Sequence, residues 1–130
     1  MQESKISERR RFSIVKRAES FTHAGRGIYV FVKSTHNAWV HIFLFLCAVA
    51  LGVYFHITQT EWILLILTSG IVFTAEAFNT AIEIDIDLTS PEEHPYARDT
   101  KDVAAGAVLI SAVAAVIVGG IIFIPYMQYI

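Results

Sequence analysis

The chain has 130 residues, 55% of them hydrophobic and only 17% charged, with a formal net charge of −2 and a mean hydropathy of +0.53. Soluble domains carry about 45–50% apolar and about 25% charged residues, so an ordinary soluble globule and a disordered chain are both excluded. At this length one domain, residues 1–130, is expected and a large multidomain enzyme is excluded.

The N-terminus is polar to Arg11, and the first long apolar run begins near Ala38. That is too late and too long for a signal-peptide core, so no cleavable signal is expected. Residues 12–33 form a separate element. Ile14, Ala18, Phe21, Gly25, Ile28 and Val32 recur at alternating spacings of four and three, which makes one helical stripe. Lys16, Arg17, Glu19 and Arg26 fall off it. A basic amphipathic helix of this kind lies in the membrane interface with its apolar face down. A soluble helix packed on a partner is the other reading.

Three membrane helices follow, expected at 38–58, 62–88 and 102–124. No Asp, Glu, Lys or Arg occurs from Ser34 to Thr60 or from Val103 to Ile130. A span needs about 20 mainly apolar residues, and both stretches supply them. The third helix is expected to start at Lys101 or Asp102 and to end at Pro125. Its Ala107, Ser111, Ala115 and Gly119 recur every fourth residue, a spacing that lets membrane helices approach closely. Cys47 is the only cysteine, so no disulfide framework and no cysteine metal site can form, and it reads as a small buried hydrophobe. The fold class is therefore all-α membrane protein, an interfacial helix followed by three spans. All ten Lys and Arg fall on one side of a three-span chain. The positive-inside rule places that side, with the N-terminus, in the cytoplasm and the C-terminus outside.

The second span holds the residues that need explaining. Glu76, Asn79, Glu83 and Asp87 form one polar stripe down the cytoplasmic half of a membrane helix. Glu76 lies 14 residues after Trp62, about 21 Å along the helix at 1.5 Å per residue. That leaves it in the hydrocarbon layer, where an acid costs at least about 2.5 kcal/mol and is functional by default. Asp85 points to the opposite face. Carboxylates with an amide oxygen suit a hard cation such as Mg2+. An ion or proton path, or a stripe that only holds helices together, would look the same.

The loop after this helix carries Glu92, Glu93 and His94, then Arg98, Asp99, Lys101 and Asp102. A helix starting at Lys101 would put that lysine at a helix N-terminus, which favours phosphate. Acid-bound Mg2+ facing such a lysine is the equipment of phosphoryl transfer. No Walker A, GxGxxG or HRD sequence occurs, so a nucleotide would be held by another design. His94 reads either as a nucleotide contact or as a plain loop residue. His23, His36, His41 and His56 lack ligand spacing for zinc.

The run from Glu76 through Asn79, Thr80, Ala81 and Ile82 to Glu83, then Asp87, then Lys101-Asp102, resembles the prokaryotic diacylglycerol kinase family, which includes undecaprenol kinases. The resemblance covers roughly residues 12–124 and includes Phe21-x-x-Ala24-x-x-Gly27 and Asn37-x-x-x-His41. It implies a homotrimeric kinase of the bacterial inner membrane, with three spans and a surface helix. Such an enzyme moves the ATP γ-phosphate to a lipid hydroxyl. Its partners would be the membrane lipid and ATP, with Mg2+ as cofactor and no nucleic acid.

By the same resemblance, Glu76 is the general base. Glu83 is a Mg2+ ligand, with Asn79 beside it and Thr35 at the position where the family usually has a third, acidic ligand. Asp87, Glu92, Glu93 and His94 are nucleotide contacts, and Lys101 and Asp102 face the phosphates. Lys16 and Arg26 fall where the family often has basic residues near nucleotide and lipid, and Lys16, Glu83 and His23, the last at a position aromatic in some members, join the nucleotide-binding set. The Asn37-x-x-x-His41 pattern looks more like the branch that uses polyprenols. The alternative is a non-catalytic or ion-conducting membrane protein on the same scaffold.

Overall fold

A computed structural model describes residues 13–130. Four helices follow one another, Ile14–Ser34 (α1), His36–Phe55 (α2), Gln59–Thr89 (α3) and Pro95–Met127 (α4), with no strand among the described residues. The last three are each long and apolar enough to cross a membrane. The all-α membrane architecture expected from the hydropathy pattern is therefore the observed one.

The helix ends show what sets each boundary. α2 stops three residues earlier than the expected Thr58, because His56 takes the left-handed conformation (φ 52°, ψ 49°) and the Ile57 N–H turns back to the Gly52 carbonyl at 3.1 Å. That is the usual way a helix ends, though normally with glycine at the left-handed position. α3 then starts at once. Thr58 and Glu61 form a capping box in which the Glu61 N–H donates to the Thr58 hydroxyl and the Thr58 N–H donates to Glu61 Oε2 at 2.7 Å. This places the start of α3 at Gln59 instead of Trp62.

The larger correction concerns α4, which begins at Pro95, seven residues before the expected 102. Proline at the first helical position has no N–H to leave unpaired, and the His94 ring accepts the Tyr96 N–H at 3.2 Å. The polar run Arg98, Asp99, Lys101 and Asp102 is thus helical, and the start of the apolar run marks only where the helix becomes apolar. Pro125 does not end the helix, which continues to Met127.

The chain divides between Val30 and Phe31 into two compact units. In the first, α1 buries no residue, and Ile14, Phe21 and Ile28 of its apolar stripe are 76%, 79% and 64% exposed. In the second, α3 and α4 pack along each other, while α2 leans on α3 and touches α4 more briefly. The densest packing is at the end away from the acidic stripe. There Ile57, Leu65, Ile122 and Phe123 are buried beneath Phe55, Trp62 and Tyr126. Tyr126 stacks on Phe55 with ring centres 5.6 Å apart, and its hydroxyl donates to Glu61 Oε2 at 2.8 Å. The α2 terminus passes so close to α3 that a Cβ on Gly52 would lie 2.8 Å from the Trp62 ring, so this position requires glycine.

Phe43, Leu67, Ile110 and Val116 are all more than half exposed. In lipid this carries no penalty, because acyl chains are as apolar as leucine. The small-residue stripe of α4 is used only in part within the chain. Ser111 is buried with its hydroxyl on the Val108 carbonyl at 2.8 Å, whereas Ala107 stays exposed.

Candidate functional site

The deep end of the acidic stripe, at Glu76, lies on the face of α3 that meets α2. Glu76 is 1% exposed, and no other large side chain is as deeply buried among the described residues. Its neighbours are arranged in tiers. The Thr80 hydroxyl donates to the Glu76 carbonyl at 3.0 Å and lies 3.5 Å from the Thr35 hydroxyl, which in turn donates to the Phe31 carbonyl at 2.7 Å. Thr35, the extended residue that joins α1 to α2, therefore meets α3 between Glu76 and Glu83. Asn79 donates its amide N–H to Glu83 Oε1 at 3.2 Å.

Among the described residues, three buried side-chain oxygens remain unpaired. Neither carboxylate oxygen of Glu76 accepts a hydrogen bond, nor does Asn79 Oδ1, although all three are fully buried. Such burial without a partner costs on the order of 2 kcal/mol or more per group. A native structure keeps groups of this sort where a ligand, ion or water completes them. His41 on α2 comes nearest, with Nε2 3.0 Å from Glu76 Oε1, but its N–H is not aligned for a hydrogen bond.

Toward the other end of the stripe the chemistry changes from buried oxygens to exposed charge. Lys101 of α4 reaches across to Asp87 of α3, with Nζ 2.6 Å from Oδ1. The two helix ends and the turn between them enclose an open cleft of about 570 Å³, lined by Asp87, Glu92, Glu93, His94, Arg98 and Lys101 among others. The structure thus gathers five of the residues assigned to the nucleotide into one concavity.

Asp102 is not in that lining. It is exposed, one residue further round α4 than Lys101. Lys101 is not at a helix N-terminus either, since α4 has already run for two turns, so it offers an anion its side chain and no free backbone N–H. His94 has a structural duty as the cap of α4, with its ring tilted against Tyr96 at 5.5 Å, as well as a place in the cleft. Arg98 was not among the expected site residues. Its signal is the spacing of three to Lys101, which becomes a shared face only once α4 is known to start at Pro95. Lys16, His23 and Arg26 are exposed positions of α1 in the first unit.

No group of three or more His, Cys, Asp or Glu is placed to hold a metal among the described residues. A hard cation does not need one, because amide and hydroxyl oxygens also serve. The unpaired Asn79 Oδ1 beside Glu83 is a donor of that kind.

The sequence profile described as "Prokaryotic diacylglycerol kinase" matches residues 22–123. An undecaprenol kinase of Bacillus subtilis (strain 168) is 38% identical over 107 residues, covering 82% of this chain and 87% of the relative. A diacylglycerol kinase of Synechocystis is 37% identical over 107 residues, covering 82% of this chain and 61% of the relative. A diacylglycerol kinase of Helicobacter pylori (strain 26695) is 28% identical over 109 residues, covering 78% of this chain and 85% of the relative.

Proposed function

The chain belongs to the prokaryotic diacylglycerol kinase family, and on that premise we propose that it is a Mg2+-dependent membrane kinase that moves the ATP γ-phosphate to the hydroxyl of undecaprenol or diacylglycerol. The observation that carries this reading is the Glu76 carboxylate, buried on a membrane helix with two oxygens that accept no aligned hydrogen bond from any described residue. A carboxylate so placed is equipped to receive a proton from a hydroxyl that enters from the lipid side.

The residues divide the work by depth. Glu76 takes the acceptor's proton. Its placement in the layer where the lipid tail lies supplies proximity, which is worth several kcal/mol in reactions of this class. Asp87, Glu92, Glu93, His94, Arg98 and Lys101 frame the cleft that receives the nucleotide. Lys101 and Arg98 offset phosphate charge there, and Lys101 exchanges Asp87 for a phosphate oxygen when ATP binds. Mg2+, when bound, neutralises charge on the transferring phosphoryl group. Asn79 and Glu83 fit it through their oxygens, with the Thr35 hydroxyl one helical turn away at Thr80. Asp102 serves the cleft from outside its lining.

The acceptor is named differently among the relatives, undecaprenol in one and diacylglycerol in others. Both present one hydroxyl on apolar tails, and the Bacillus relative matches across more of its own length. A homotrimer accounts for the uncovered apolar faces of α2 to α4. The ten basic residues, all on one side of a three-span chain, support a cytoplasmic N-terminus, on the side where ATP is, and an external C-terminus. The exposed apolar stripe of α1 suits placement at the membrane surface, with Lys16, His23 and Arg26 within the headgroup layer.

The test is direct. Purified protein in detergent micelles, supplied with Mg-ATP and either lipid, is expected to yield a phosphorylated lipid, with undecaprenol turned over faster. ATP hydrolysis without a lipid product, or no turnover of either lipid, would overturn the reading and favour a non-catalytic membrane protein.

Thr35 supplies a second test. Thr35→Glu is expected to lower the Mg2+ concentration for half-maximal rate several-fold, with the maximum rate equal or higher. Affinity for a hard divalent cation rises with the number of converging carboxylates, and position 35 touches the stripe at Thr80. A Mg2+ titration at saturating lipid decides it. An equal or higher Mg2+ requirement would place Thr35 outside the metal site.

A further inference from the structure

α2 carries no Asp, Glu, Lys or Arg, and α4 carries none beyond Asp102. Within the apolar layer, the group that faces Glu76 from α2 is therefore His41, at 3.0 Å. On α3 itself the nearest amide, Asn79, gives its N–H to Glu83 instead. His41 also stands among Leu44, Phe45, Val72 and Ala115 on the wall of an apolar groove of about 340 Å³ between the three spans. An imidazole in such surroundings needs a polar partner, and the carboxylate it approaches has none.

We infer that His41 is a positioning residue for Glu76. Its Nε2–H fixes Oε1, which leaves Oε2 aimed at the acceptor hydroxyl. The separation is already of hydrogen-bond length, and the misaligned direction is common in unliganded sites, whose catalytic hydrogen bonds tighten only with substrate present. The role rests on the reading of Glu76 as the base. In the step it supports, the hydroxyl proton passes to Glu76 Oε2 and the hydroxyl oxygen bonds to the γ-phosphorus. The bond from that phosphorus to the bridging oxygen breaks and ADP leaves. His41 neither gains nor loses a proton.

The experiment compares His41→Ala and His41→Gln in the full chain, at saturating lipid and varied Mg-ATP, with helicity and thermal melting recorded for each. His41→Ala is expected to lower kcat about 10–100-fold, the cost of roughly an ångström of misplacement, with the KM for ATP unchanged. Glutamine keeps an N–H at nearly the same reach and should recover most of kcat. In a Glu76→Gln background His41→Ala should add no further loss, because residues that act through each other are not additive.

A kcat within about two-fold of wild type in His41→Ala would overturn the inference. So would losses that multiply in the double variant. If His41→Ala does not fold, His41→Gln decides. A folded Gln variant with unchanged KM and a kcat within a few-fold of wild type supports the role, and a loss as deep as that expected for alanine overturns it. Failure of the base reading shows separately, as a Glu76→Gln variant that remains active.

Discussion

Glu76→Gln is expected to abolish phosphoryl transfer to lipid while leaving the fold and nucleotide binding intact. The substitution keeps the volume of a side chain that is 1% exposed and removes only its capacity to take a proton. Neither oxygen is engaged in a hydrogen bond, so an amide forfeits no aligned contact, and it removes a buried acid from an apolar layer. Melting temperature should therefore be equal or higher. The rate should fall about 10²–10⁴-fold, the usual contribution of a positioned general base. Initial rates at saturating Mg-ATP measure it. A variant that keeps more than about a tenth of the wild-type rate would remove Glu76 from the role, because that is less than a general base contributes.

Lys101→Met should have the second largest effect, and a different signature. The methionine keeps most of the apolar stem and removes the ammonium that now lies 2.6 Å from Asp87. Loss of a preorganised cation on a transferring phosphoryl group typically costs about 10²–10³-fold in kcat. Because Lys101 also lines the nucleotide cleft, the KM for ATP should rise as well, which Glu76→Gln should not produce. The ion pair with Asp87 is partly exposed, with the lysine side chain 38% and the aspartate 67% accessible, so its loss should barely move stability. A Lys101→Met enzyme with unchanged kcat would leave Arg98 as the cation that meets the phosphates.

Much of this arrangement is written in the order of residues, but not all of it to the same depth. Two long stretches without a charge, with an apolar helix bearing a single acidic stripe between them, announce three spans, since few other arrangements tolerate such runs without ions. The offsets among Glu76, Asn79, Glu83 and Asp87 place them on one face of a helix before any coordinates exist. What hydropathy cannot show is where a helix goes once it leaves the lipid. The first two turns of α4 are polar, and only the proline at 95 and the capping ring of His94 reveal that they are helical. Missing that start hid Arg98 and misplaced Lys101 at a helix end. The pairing of His41 with Glu76 was hidden for another reason. It depends on the axial register of α2 against α3, which the short link through His56, Ile57 and Thr58 fixes at the opposite end of both helices. No local pattern around His41 encodes it.

The lengths of the helices have a consequence for the bilayer itself. α2 has 20 residues, about 30 Å at 1.5 Å per residue, which equals the thickness of a typical hydrocarbon core. α3 and α4 are 31 and 33 residues long, so each has roughly 15–20 Å to spare, and the cleft proposed for the nucleotide lies between their ends. α2 thus acts as a ruler. His41 lies five residues in from its first residue, so with α2 matched to the hydrocarbon core the pair with Glu76 would lie about 8 Å inside its edge. An acceptor's hydroxyl is moored to the headgroup plane, whereas the carboxylate is moored to the protein. In a thicker membrane the plane moves away from the carboxylate, and in a thinner one it closes on it. Hydrophobic mismatch of this sort costs only fractions of a kcal/mol per ångström, too little to unfold the bundle. On the reading of Glu76 as the base, the rate of lipid phosphorylation is therefore expected to vary with bilayer thickness.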